Sequence, residues 1–137
     1  GIDSLIPEQT AQKGYIYVFH SNGAYLYGSL LGDDDKETTT QDIATSGDDL
    51  FITGTTNGTI EEATKPGLYD GFLVKYDYQL NTQWFSMFGT DVMDYANVLL
   101  MDSYGNPIAG GTTQGVFPGW TSLGESDNYL YLIRQPE

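Results

Sequence analysis

The chain has no cysteine, one histidine and one arginine, and only 5 basic residues against 19 acidic ones among 137. Without Cys there is no disulfide, no thiolate metal site and no cysteine nucleophile. His20 is the single imidazole, so a catalytic triad would rest on that one residue, and no Ser sits in a recognisable elbow motif. Arg134 alone falls short of the arginine clamp that a sialidase uses. A net charge of −14 sets the surface against phosphate backbones and disfavours nucleic acid as a partner. The same charge disfavours an anionic membrane surface. No apolar run approaches the roughly 18 residues of a membrane-spanning helix, and the opening GIDSLIPEQT lacks a charged-then-apolar leader pattern.

What is abundant is Gly (17), Tyr (11) and Phe (6), a mixture suited to aromatic-rich strands separated by turns. GTTNG at 54–58 returns as GTTQG at 111–115, 57 residues later. The same offset, with no insertion or deletion, pairs Gly32 with Gly89, Asp34 with Asp91, Ser46 with Ser103, Asp70 with Asp127, and Tyr27 with Trp84. Tyr15, Phe72 and Tyr129 form one set. The chain therefore reads as about 2.4 units of a repeat. It starts and ends inside a unit, so it is expected to be a piece of a longer array or to be completed by other chains.

Each unit reads as four short strands. They are expected at 14–19, 25–30, 39–45 and 50–56, then at 71–76, 83–88, 96–101 and 107–112, with a last one at 128–133. Ser21-Asn22-Gly23, SGDD and DSYGNP mark the hairpin turns. DVMDYANVLLM (91–101) could also form a short amphipathic helix. Its repeat mate DDKETTTQDIA has no matching apolar face, which favours loop and then strand. Four-strand units at a fixed period suit the blades of a β-propeller, which bury their faces on neighbouring blades.

Asp94 and Ala96, then Asp102, Gly105 and Asn106, then Gly111 and Thr113, then Phe117 and Pro118, and then Asp127 and Tyr129 follow one another in order. That ordered set resembles the bacterial β-propeller repeat named for seven-bladed propellers. The chain departs from it at Thr45, which stands where Asp102 does, and at Glu61, which stands where Pro118 does. The resemblance implies an all-β fold of four-stranded antiparallel blades. It divides the chain into a partial blade (1–32), a complete blade (33–88) and a blade lacking its outer strand (89–137), which together cannot close a ring. It also implies a bacterial extracellular or cell-surface setting.

Several residues are candidates for chemistry. Trp120, Phe117 and Tyr104 fall in expected loops, where exposed aromatics can stack on a sugar or hold a protein ligand. Trp84 and Tyr27 recur at one strand position and are expected in the core. Asp33, Asp34, Asp35, Asp91, Asp70 and Asp127 could offer oxygens to calcium, although no EF-hand loop or calcium-binding nonapeptide is present. In the plainer reading, Asp70 and Asp127 cap loops at strand starts. Glycosidase chemistry needs two carboxylates across a pocket; Glu37, the pair Asp48 and Asp49, and the pair Glu61 and Glu62 are also available. Asn57-Gly58-Thr59 is a glycosylation sequon only in a eukaryotic secretory setting; its repeat mate Gln114 supports a turn. The expected function is a non-catalytic module that binds a protein or glycan, or assembles with other blades or copies of itself. A carbohydrate hydrolase and a filament or surface-layer subunit are the alternatives.

Overall fold

The computed structural model describes residues 11–61, 64 and 66–135. The fold is all-β, with nine strands and no helix among the described residues. Strands β1 (Gly14–Phe19) and β2 (Tyr25–Leu31) pair as a hairpin. Strands β3 (Thr38–Ser46), β4 (Asp49–Thr56), β5 (Asp70–Tyr76) and β6 (Thr82–Phe88) form a four-stranded meander in sequence order. Strands β7 (Asp94–Met101), β8 (Pro107–Thr113) and β9 (Asp127–Leu132) form a three-stranded one. All these pairings are antiparallel, and the blade-like sheets close no ring. The segment that could have been a helix is strand β7. Its backbone pairs with β8 from Asp94↔Thr113 to Met101↔Pro107.

The sheets pack face on face, and alternation along each strand decides which side chains meet. At the first junction, Ile16 and Leu31 of the hairpin bury against Ile52, Phe72, Val74 and Tyr76 of the central sheet. At the second, Phe51, Leu73 and Phe88 leave the opposite face of the central sheet to meet Ala96, Leu99 and Ala109. Phe51, Phe72, Leu73 and Val74 are fully buried. Burying such a side chain stabilises by about 1.5–3 kcal/mol, so the central sheet, covered on both faces, carries the core.

The GTT motif has a local role. A Cβ on Gly54 would lie 1.9 Å from the Thr39 carbonyl oxygen, and one on Gly111 would lie 1.7 Å from that of Tyr95. Both glycines face the point where the neighbouring strand bulges, between Thr40 and Asp42 and between Ala96 and Val98. Two residues on, Thr56 Oγ1 accepts from the Gly58 amide and Thr113 Oγ1 from the Gly115 amide, each at 3.0 Å. Gly lets the backbones touch, and Thr turns the chain out of the strand.

The structure corrects the sequence register in one place. Thr38 and Asp94 open β3 and β7, one residue out of the 57-residue offset. The loop before β3 has one residue more than the loop before β7, and the stretch between the paired residues Thr45 and Leu50 has one fewer than that between Met101 and Pro107. An extra loop residue offset by a shorter turn leaves the sequence before and after in step, so the slip does not show there.

Candidate functional site

Beside the last strand lies a cavity of about 730 Å³. The loop after β8 walls one side, with Val116, Phe117, Trp120 and Leu123; Asp127 to Tyr131 of β9 wall the other. β9 is the edge of its sheet among the described residues. Phe117 leans on Tyr129, with ring centroids 5.3 Å apart, which fixes the floor. Trp120 is 78% exposed and Leu123 is 92% exposed.

Phe117 and Trp120 thus line one cavity. Tyr104 does not join them. It sits 88% exposed in the β7–β8 turn, at the other end of β8, some 20 Å away at strand rise. Tyr129, Leu130 and Leu123 line the cavity and were not among the candidates. For Tyr129 and Leu130 the signal was present in YLYLI, where β9 is apolar on both faces, as in strands buried on both sides; for Leu123 there was none.

The expected calcium ligands are dispersed into separate jobs. Asp33 accepts from the Thr59 amide at 2.7 Å and from its hydroxyl. Asp34 pairs with the buried Lys13 ammonium at 3.2 Å, and Asp35 lies 3.8 Å from Lys36. Asp91 is exposed. Asp70 is buried and accepts from the Gly67 amide. Asp127 accepts from the Ser122 hydroxyl and the Leu123 amide. The capping roles of Asp70 and Asp127 are the geometry seen. Among the described residues no three His, Asp or Glu side chains gather where a metal ion could sit. His20 is exposed at the β1–β2 turn. Glu62 lies outside the described residues.

Two further expectations shift. Trp84 is half-buried against Phe51, at 6.0 Å. Tyr27 is 37% exposed, and its hydroxyl donates to the Tyr78 carbonyl, so it braces the first junction from its rim. Asn57 ties two loops together: its side-chain oxygen accepts from the Glu37 amide at 2.8 Å. Comparison with models of known protein families and with curated proteins gives no match.

The central sheet offers a comparison for the cavity. There, β5 carries β6 along the edge that β9 leaves open. Ile60, in the loop after β4, is fully buried, and its amide points at the Met87 sulfur of β6 at 3.4 Å. Thr82 of β6 donates to Glu61 in the same loop. Phe117 stands in the last sheet where Ile60 stands in the central one, with the same spacing from the GTT motif. The cavity above Phe117 corresponds in position to the space that Met87 fills beside Ile60.

Proposed function

We propose that the chain is a non-catalytic module of β-propeller-type repeats that works by accepting an extended strand along β9, as a binding or assembly element. The observation that carries this reading is the cavity over Phe117 beside the open β9 edge, set against the Ile60–Met87 contact beneath β6. Strand addition takes affinity from main-chain hydrogen bonds and specificity from pockets for alternate side chains, and both are on offer. The lining is mainly apolar. Its one carboxylate, Asp127, is engaged by Ser122 and Leu123, which does not suit two-carboxylate hydrolysis. The repeat reading is supported by equivalent strands: β1, β5 and β9 share one sequence register, as do β2 and β6, and β4 and β8. The family resemblance adds a bacterial cell-surface setting.

A peptide spanning residues 77–90, which contains β6, is the test ligand. Isothermal titration should show saturable binding to the chain, lost in Phe117→Asp. Equal binding to that variant, or none to the parent, overturns the proposal. A glycan platform is the second reading, favoured by the exposure of Trp120 beside Phe117; it requires glycan-array signal that disappears with Trp120→Ala.

A further inference from the structure

The two sheet junctions inside the chain obey one rule. Each sheet has a front, carrying the odd or even set that includes Phe72 in the central sheet and Tyr129 in the last one. It also has a back, carrying Ile16 in the hairpin and Leu73 in the central sheet. In both junctions the front of one sheet packs on the back of the sheet before it. Among the described residues one back and one front are left over. The free back belongs to the last sheet, where Leu100, Ile108 and Leu132 form one cross-strand row and Val98, Gly110 and Leu130 the next. The free front belongs to the hairpin.

The free back is more apolar than its buried counterpart. Where the central sheet presents Asp42, Thr53, Leu73 and Lys75 on that face, the last sheet presents Val98, Gly110, Leu130 and Leu132. Leu73 is fully buried, while Leu130 is 78% exposed and Leu100 63%. An exposed apolar face of this kind marks an interaction surface. The free front is an aromatic ladder. Tyr15 stacks on Tyr17 at 6.0 Å, and Tyr17, Phe19 and Tyr25 contact one another edge-on or tilted. Gly28, opposite Tyr17, has no side chain to push that ring away.

We propose that the Leu100–Leu130 face binds the Tyr15–Tyr17–Phe19 face of a second copy of this chain, head to tail, repeating between molecules the packing found twice within one. The occupant is set by continuity with those two junctions, each of which seats an aromatic-bearing front on an apolar back; at the first that back is aliphatic, Ile16 and Leu31. Such a contact is heterologous, so successive copies add to a ring or an open filament. It rests on the repeat reading above but not on the strand slot: Leu130 borders both, whereas Leu132, and Leu100 and Tyr17, on which the test is made, lie outside the cavity lining. Copies of charge −14 repel, so association is strongest where salt screens them.

Sedimentation velocity in roughly 0.5 M salt, across about a hundredfold range of protein concentration, reads the result. The parent chain should gain mass with concentration. Leu100→Glu and Tyr17→Glu should each stay at monomer mass with unchanged circular dichroism. Mixed in equal amounts they should form a dimer and nothing larger, since each retains one working face. If Tyr17→Glu loses its fold, the exposed Phe19→Glu takes its place. A parent chain that stays monomeric throughout overturns the proposal. So does association of Tyr17→Glu alone, which would mean that like faces pair. Peptide binding by Leu100→Glu reports separately on the β9 slot.

Discussion

Leu80 holds a backbone conformation that its side chain disfavours. Its φ is +61°, at the turn position where Gly23 has +87° and Gly105 has +80°. A Cβ in the left-handed region costs about 1–2 kcal/mol, and the turn keeps Leu there because its side chain packs on the core at the first junction. Substitution separates the two effects. Leu80→Gly and Leu80→Ala lose similar packing, but only the alanine variant keeps the strain. The glycine variant should be the more stable of the pair by about 1 kcal/mol, measured by chemical denaturation. The reverse order would show that strain at this residue is negligible. Such a residue is invisible to turn rules that look for Gly or Asn, since Gln79-Leu80 carries no turn signal.

Among the elements, three hairpin turns share one hydrogen-bond pattern. The amide of the first residue donates to the carbonyl of the fifth in His20–Ala24, Asp77–Asn81 and Asp102–Asn106. In the last two the Asp carboxylate also accepts from the backbone amides of the third and fifth residues and from the Asn side chain. Those bonds, from Asn81 and Asn106 foremost, hold both carboxyls below the ordinary aspartate range. Hydrogen bonds to the ionised form stabilise it. The stabilisation is therefore complete above the unfolded value of about 4 and is lost as pH falls through the lower folded values. Asp77→Asn with Asp102→Asn should flatten the acid limb of the stability profile, while the parent chain weakens below about pH 4. An unchanged acid limb in the double variant would place that sensitivity elsewhere.

Strand placement was largely legible at this scale. Gly-bearing turns and alternating aromatics positioned nine strands to within two residues. The pairing of Phe117 with Trp120 was legible too, because both fall within one short loop. The cavity itself was not, since Leu130 and Tyr131 look like ordinary strand residues until β9 is seen to have, among the described residues, no neighbour on one edge. Nor was the dispersal of the acidic residues: adjacent Asp33, Asp34 and Asp35 turn to different partners, and sequence proximity does not reveal direction.

At the scale of the whole molecule, the sheets are held to one another by two junctions, and each contains a tyrosine, buried at the first and half-buried at the second, whose ionisation would pull it open. Tyr76, 2% exposed at the first junction, is pushed up to about 12 by burial and then by the Glu61 carboxylate. Tyr129, at the second, is raised further, by burial first and then by Asp94 and Asp70; its hydroxyl donates to the Tyr95 carbonyl at 2.8 Å. Both hydroxyls are neutral in the fold at pH values where the unfolded chain, near 10, already loses its protons. The unfolded state then binds fewer protons than the native one, so stability falls as pH rises. The contribution is intact below about pH 10 and disappears through about pH 12. The chain should unfold in that window, followed by tyrosinate absorbance alongside circular dichroism. Tyr76→Phe removes the ionisable group while keeping the ring, gives up the hydroxyl's hydrogen bond with Thr82, and should move the alkaline midpoint upward with a small loss near neutrality. Tyr129→Phe also forfeits a hydrogen bond worth about 1 kcal/mol, so it should lower neutral stability while still softening the alkaline loss. If tyrosinate absorbance reaches the full value for all 11 tyrosines near pH 10 with the β-sheet signal intact, these rings ionise without opening the junctions, and the junctions are then looser than their burial implies.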